Sequence, residues 1–319
     1  MQTHSKRALV LSGGGGRGAY HIGVLTYLES HGWRPDVIIG TSIGAVNGAT
    51  LGSGIPVSAL RERWLNLTTE DVQKMRADDV YIDNLVRRGD HVFDTTPLLA
   101  TLKGYSEKWL GKPWIIPEIL NSAESRYEVW ITAVEFETRR LVYFNNREPN
   151  GITPEKVQAS CSIPLWYEPT ILDGRAYVDG GVIANTPFRK ALELGATEIV
   201  AVLMAPLPNR TGLAHQVPAP PLPGDELLAI PQRLWSTFEP TLDMLLTEIV
   251  WNDYRLFEMQ RRAGEFPELQ WFRCVAPVAP LPIGLMTTYN RTYHIRLFRQ
   301  AEEDARAVLD DLFQAEETR

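Results

Sequence analysis

The sequence predicts an α/β protein with three layers, a mainly parallel central sheet covered by helices on both faces, plus helices at the C-terminal end. Three observations lead there. In the first half, short apolar runs alternate with segments whose apolar residues recur at helical spacing, the pattern of strand–helix–strand units. Two of the strand-to-helix junctions are rich in glycine, Gly13-Gly14-Gly15-Gly16-Arg17-Gly18 and Gly40-Thr41-Ser42-Ile43-Gly44. Past residue 205 the composition shifts to a proline-rich stretch and then to long helical periodicity.

The elements follow in order. A strand near 7–12 leads through the first glycine junction into a helix near 19–31, with Ile22, Val24, Leu25 and Leu28 at helical spacing. A strand near 36–40 leads through the second junction into a helix opening at Ile43. Residues 57–126 read as helices and loops, with Leu60, Trp64 and Leu67 on one face and Pro97-Leu98-Leu99 starting a further helix. Two β-rich runs, Glu128 to Phe136 and Arg140 to Phe144, are separated by Glu137-Thr138-Arg139 and predict a hairpin. Thr153-Pro154-Glu155 supplies an N-cap, a proline at the first helical position and an acidic first turn, so a short helix carries Val157 to Cys161. Glu198 to Met204 is one more buried strand.

Residues 206–231 read as a linker or exposed flap. Beyond it Leu234, Phe238, Leu242, Leu245, Ile249, Leu256 and Met259 form a helical stripe, which packs on the core or serves as a lipid-facing lid; Trp235, Phe238 and Trp251 add aromatic surface. A last helix runs from Ile295 to Phe313, with Ala301-Glu302-Glu303-Asp304-Ala305 as its solvated face. The domain division expected is a catalytic unit over 7–205, the linker over 206–231, and a mainly helical region over 232–319.

Composition narrows the function classes. A hydrophobic content of 44% with 22% charged residues is that of a soluble globular protein. No apolar stretch reaches the roughly 18 residues that span a bilayer, and the polar start predicts no signal peptide. Two cysteines are too few for a disulfide framework or a cysteine metal site, which places the expected setting in the cytoplasm, with peripheral contact at membranes. A net charge of −7 without a basic block argues against a nucleic-acid partner and against long-range attraction to anionic lipid.

The two junctions carry the chemistry. A GxSxG sequence between strand and helix places its serine on a sharp turn, with glycines on either side so that strand and helix can approach; Ser42 is thereby a candidate nucleophile with an exposed hydroxyl. Four adjacent glycines are costly to order, and they make sense where backbone N–H groups must face an anion or a developing negative charge at a helix start. Gly13, Gly15 and Gly18 also satisfy a dinucleotide fingerprint, but its acidic partner should close the second strand, and Asp36 opens that strand instead. Downstream, Asp179-Gly180-Gly181 follows a short apolar run, which suits a carboxylate delivered at a strand end.

Taken together, these pieces resemble the patatin-like phospholipase family. The glycine-rich oxyanion loop of that family is matched by Gly13 to Gly18, its nucleophile elbow by Gly40 to Gly44, and its Asp-Gly-Gly/Ala motif by Asp179-Gly180-Gly181. Ala159-Ser160-Cys161-Ser162-Ile163-Pro164 and Asn185-Thr186-Pro187 match two further motifs, and the resemblance covers about residues 7–205. It implies a patatin-like α/β/α fold, a lipid or acyl-ester substrate, no cofactor and no metal, and a dyad in which Asp179 takes the Ser42 proton directly. Oxyanion donors are then expected among Gly13, Gly14, Gly15, Gly16, Arg17, Gly18 and Ile43, with Gly40, Gly44, Gly180 and Gly181 as supporting residues.

The dyad competes with a Ser-His-Asp triad. Of six histidines, only His21, on the first turn after the glycine loop, is near enough in sequence to be weighed as a base or substrate contact. Arg17 reads as a clamp on the glycine loop or a partner for an acid, with a lipid phosphate contact as the sharper alternative. An acyl-enzyme could pass its acyl group to water or to another alcohol, so hydrolase and acyltransferase both remain open, as does a nucleotide-binding regulatory module using Gly13 to Gly18. The oligomeric state is not legible.

Overall fold

In a computed structural model that describes residues 5–75, 91–207 and 232–317, strand β1 (Arg7–Leu11) enters a 3-10 turn (Gly15–Gly18) and helix α1 (Ala19–Ser30). Strand β2 (Val37–Thr41) enters helix α2 (Ile43–Gly52), followed by α3 (Val57–Asn66) and two short strands, β3 (Lys74–Met75) and β4 (His91–Asp94). Helices α4 (Thr96–Lys103) and α5 (Pro117–Leu120) precede the hairpin of β5 (Glu128–Glu135) and β6 (Arg140–Asn145). Then come α6 (Pro154–Ser160), β7 (Leu165–Tyr167), β8 (Thr170–Leu172), β9 (Arg175–Asp179), α7 (Phe188–Glu193) and β10 (Glu198–Val202). The remainder is α8 (Gln232–Arg262), β11 (Trp271–Val275) and α9 (Arg291–Glu317).

Five of the strands form a parallel block in the order β11-β10-β1-β2-β5; β6 and β9 pair β5 antiparallel, and β8 pairs β9 antiparallel. Both faces are buried, so the strands are apolar throughout. Leu9, Leu11, Ile38, Val200 and Val202 face α1, α2, α3 and α9, while Ala8, Val10, Ile39, Ile199 and Ala201 face α7 and α8. The predicted three layers are present. Strand β4 pairs β3 and β7 in a small second sheet.

The register of β5 decides where the second motif lands. Residues Trp130 to Thr132 pair β2 on one edge and β6 on the other, whereas Ala133 to Glu135 pair β6 and β9. Strands β2 and β9 therefore share one edge of β5 and run toward each other. Thr41 is opposite Thr132 and Asp179 opposite Ala133, so the two strands meet end to end. Asp179 thus ends a strand that is antiparallel to β5 and in line with β2.

The C-terminal elements depart from the sequence reading in phase. On α8, Thr247, Val250, Trp251 and Phe257 are buried, while Leu245, Leu256 and Met259 are exposed. The buried stripe is turned about one residue from the expected one, because the helix meets Phe188 and Phe272 on one side and the small second sheet on the other. The side chains of Leu234, Trp235 and Phe238 and the structure of 208–231 lie outside the described residues. On α9, Ala301 and Ala305 are fully buried against α1 and not solvated; a Cβ at Gly23 of α1 would lie 2.2 Å from the Phe298 carbonyl oxygen. Of the acidic residues between them, Glu302 pairs with Arg61 and Asp304 accepts from the Tyr20 hydroxyl, while Glu303 is exposed. Among the described residues, no helix is long and apolar enough to cross a membrane.

Candidate active site

Ser42 is one of few non-glycine residues with positive φ, at φ 56° and ψ −123° between β2 and α2. Such a conformation costs about 1–3 kcal/mol and persists only where surrounding contacts fix it. Here they do. A Cβ at Gly40 would lie 2.3 Å from the Gly44 carbonyl oxygen, and one at Gly44 would lie 2.2 Å from the Leu11 carbonyl oxygen, so both glycines are required by close backbone approach. The Ser42 N–H donates to Ser160 Oγ at 2.9 Å. The hydroxyl is expected to be exposed; instead Ser42 is 4% exposed and faces a cavity that α8 also lines.

Asp179 ends β9 and caps the 3-10 turn Gly180–Val182, its Oδ1 accepting from the Gly181 N–H at 2.7 Å. Its own N–H donates to the Ser162 carbonyl at 2.9 Å, which ties this loop to the segment that holds Ser42. A Cβ at Gly180 would lie 2.1 Å from Thr132 Oγ1, so the chain passes β5 only with glycine there. Burial pushes the Asp179 carboxyl up to about 7, against hydrogen bonds from the Ser42 hydroxyl and the Gly181 N–H that favour the charged form. Ser42 and Asp179 are thus brought together, with the carboxyl poised near neutrality.

The glycine loop closes as a 3-10 turn, with Arg17 N–H donating to the Gly14 carbonyl at 3.2 Å. Its donors divide. The Gly13 N–H is taken by Asn185, whose side-chain and backbone oxygens lie at 3.1 and 3.2 Å. Gly13 and Arg17 therefore do not present free N–H groups, which corrects the broader donor set expected from the sequence. Gly18 serves packing, since a Cβ there would lie 2.4 Å from Ile43 Cγ1. Gly14, Gly15 and Gly16, and Ile43 at the start of α2, keep N–H groups that meet no acceptor among the described residues. Gly15 has φ 57°, and a Cβ there would lie 2.0 Å from the Met286 carbonyl oxygen.

His21 lies beneath this turn, fully buried, with burial lowering its pKa to about 3. Its Nδ1 is 3.1 Å from Asn47 Nδ2, which also donates to the Gly18 carbonyl, while Asn47 Oδ1 accepts from Trp64 Nε1. His21 is neutral scaffolding and no hydrogen bond joins it to Ser42 or Asp179 among the described residues. Asn47 carries no motif, so sequence reading had no signal for it; Asn185 and Ser160 stood inside recognised motifs without an assigned contact. The Cys161 thiol, hydrogen-bonded to the Ser42 side chain, is kept neutral by burial and by the Asp179 carboxylate. Among the described residues, no cluster of three His, Cys, Asp or Glu side chains could hold a metal.

Two apolar cavities reach Ser42. The larger, about 220 Å³, is lined by Gly13, Gly14, Asp179 and Asn185 on the reactive side and by Leu242, Leu245 and Leu246 of α8 opposite. The other, about 30 Å³, is lined by Ile43 and Val46 of α2 and by Leu98, Leu102 and Trp114. Apolar space beside a strained serine and a buried carboxyl suits acyl transfer.

The family model for patatin-like phospholipase matches residues 9–192. Lysophospholipase NTE1 of Scheffersomyces stipitis is 27% identical over 209 residues, covering 65% of this chain and 12% of that protein. Patatin-like phospholipase domain-containing protein 7 of Rattus norvegicus is 29% identical over 203 residues, covering 63% of this chain and 14% of that protein. The chain thus spans about an eighth of the length of these relatives. The crystal structure of VipD from Legionella pneumophila superposes with a TM-score of 0.50 over 96% of this chain and 67% of that one at 14% identity, a likeness of fold. With the elbow, the glycine turn and the Asp-Gly-Gly loop converging at one sheet edge, and the family model spanning all three, the chain belongs to the patatin-like phospholipase family, a family of lipid ester hydrolases.

Proposed function

We propose that the protein hydrolyses fatty-acyl esters of phospholipids or lysophospholipids through an acyl-enzyme on Ser42. The observation that carries this reading is a strained, buried serine and a carboxyl that burial raises to about 7, both lining one apolar cavity. Asp179 accepts the Ser42 proton as Oγ attacks the ester carbonyl. The N–H groups of Gly14, Gly15, Gly16 and Ile43 stabilise the tetrahedral oxyanion. Collapse expels the alcohol, which takes the proton from Asp179; the carboxylate then draws a proton from the water that attacks the acyl-enzyme and passes it to Ser42 Oγ as the second intermediate collapses and the fatty acid leaves. A carboxylate with an ordinary pKa is a poor base for a serine hydroxyl, and burial of Asp179 narrows that gap.

The lysophospholipase named among the relatives supports a lysolipid as substrate, and the cleft supports access from a lipid surface. Leu165, Val182 and Leu245 line the cleft while 54%, 44% and 59% exposed, so its rim is apolar. A nucleotide at the glycine turn gains no support: Asp36 accepts from the Arg7 N–H at the far end of β1 and β2. The test is release of fatty acid from lysophosphatidylcholine micelles and from phosphatidylcholine vesicles, with and without an added acceptor alcohol. Free fatty acid without the alcohol, dependent on Ser42, is expected. Acyl transfer to the alcohol with no hydrolysis in its absence would make the protein an acyltransferase, and no turnover of any acyl ester would overturn the reading.

A further inference from the structure

A turn of consecutive glycines has the weakest backbone preference of any sequence, so its working shape must be imposed by what grips it. Three grips hold the turn after β1. Asn185 accepts from Gly13, Asn47 donates to the Gly18 carbonyl, and Arg17 Nε reaches the Gly14 carbonyl at 3.4 Å. The first two come from within the sheet edge and α2. The third does not end at Arg17, because its guanidinium donates from NH1 to Asp243 Oδ1 at 2.9 Å, on α8. Arg17 is 4% exposed, so Asp243 is the partner that neutralises a buried cation inside the loop.

Asp243 shares one turn of α8 with Leu242, Leu245 and Leu246, the residues that close the large cavity opposite Ser42. Pro240 stands inside the helix just before that turn and removes a backbone donor there, which leaves this end of α8 less firmly tied to the preceding turn. We infer that Asp243 is a positioning residue: through Arg17 it holds the Gly14 to Gly16 donors in oxyanion-binding geometry and links that geometry to the helix that covers the acyl chain. The inference rests on the hydrolase reading above. Asp243 touches neither the reacting atoms nor the substrate ester, and it lies outside the segment matched by the family model.

The test uses the full chain and p-nitrophenyl butyrate, a soluble ester too short to depend on the leucines of α8, with rates referred to active sites counted by fluorophosphonate titration. Asp243→Asn is expected to lower kcat by about tenfold with KM changed less than about threefold, the size of loss that follows misplacement of a transition-state donor without its removal. Asp243→Glu is expected to recover at least about a third of the wild-type kcat, since it keeps the charge. Glu248→Gln, which removes an exposed charge from the same helix and leaves the brace intact, is expected to leave the butyrate kcat within about twofold. If Asp243→Asn folds poorly because Arg17 is left unpaired, the double variant Arg17→Met with Asp243→Leu removes both charges and keeps the volume filled. Its kcat per active site is expected to stay low. A wild-type kcat in Asp243→Asn, or in the double variant, would overturn the inference while leaving the hydrolase reading standing; an inactive wild type that is not labelled would instead remove the reading beneath it.

Discussion

The serine elbow and the glycine turn sit at the ends of neighbouring parallel strands, β2 and β1, yet they are held in different ways. The elbow is fixed locally: Gly40, Gly44 and the Ser160 hydroxyl leave Ser42 one conformation, and all three lie within contact of the same strand end. The glycine turn is fixed from a distance, by Asn185 from the Asp-Gly-Gly loop, by Asn47 on α2, and by the Arg17–Asp243 pair that leads to α8. The proposed nucleophile is thus a property of one short segment, whereas the proposed oxyanion donors depend on parts of the chain far apart in sequence. Damage to the elbow should remove chemistry outright. Damage around the turn should lower it by degrees.

The largest effect expected beyond loss of the nucleophile itself is that of Asp179→Asn, which should cost at least about 10²-fold in kcat on p-nitrophenyl butyrate, the lower end for a positioned acid–base group. His21→Ala should cost far less, because that ring is neutral and joined to Asn47, away from the dyad. Equal losses in the two variants would require a histidine in the mechanism. Next comes Gly15→Ala. Its φ of 57° and the 2.0 Å approach of the Met286 carbonyl oxygen to a Cβ force the turn to move, so a loss of roughly 10- to 100-fold at nearly unchanged KM is expected. Wild-type kcat in this variant would show that the turn supplies no donor.

Much of this was legible in the sequence, for physical reasons that can be named. Ser42 and Asp179 stand in motifs whose glycines answer short backbone distances, and short distances demand particular residues. The alternation of β1, α1, β2 and α2 was legible because both sheet faces are buried and the helices are flanked by glycine. What escaped was set by tertiary contact. Asn47 and Asp243 are ordinary polar residues on helices, and only folding brings them to Gly18 and Arg17. Strand β11 joins the parallel edge beside β10 with Trp271, Phe272 and Arg273 half-buried, so it lacks the apolar run that marks an interior strand. The phase of α8 was misjudged because Leu245 and Leu256 are exposed while Thr247 is buried, an inversion dictated by the neighbours of the helix.

The proton on Asp179 sharpens the comparison in pH. The base must be ionised, so kcat/KM is expected to rise with unit slope below about pH 7 and level off above it. Stability has the opposite sense. Raising a carboxyl from 3.8 unfolded to about 7 folded means that the native state binds the proton more tightly, so its protonation favours folding most below the unfolded value and that contribution is lost as pH rises to about 7. The native state at pH 8 then carries a buried charge costing on the order of 4 kcal/mol. Asp179→Asn should therefore raise Tm by several degrees at pH 8 and by little at pH 4. A variant less stable than wild type at pH 8 would mean that the carboxylate is held by contacts that outweigh its burial.

The smallest effect expected is on chain selectivity. Leu242→Ser with Leu246→Ser should weaken turnover of a long-chain ester several-fold relative to butyrate, a loss of roughly 1 kcal/mol in all, since these half-buried side chains give up only part of their apolar contact and only when a chain is present. Parallel loss on both substrates, with a lowered Tm, would mark these residues as ordinary packing.

Whether Ser42 carries the acyl group is tested most directly by the mass of the peptide containing Ser42 after incubation of the intact protein with a fluorophosphonate bearing a long alkyl chain. The account predicts a single adduct on Ser42, formed faster as pH rises through about 7, slowed at least about 10²-fold in Asp179→Asn and absent in Ser42→Ala. An adduct on any other residue, or labelling that persists in Ser42→Ala, would contradict it.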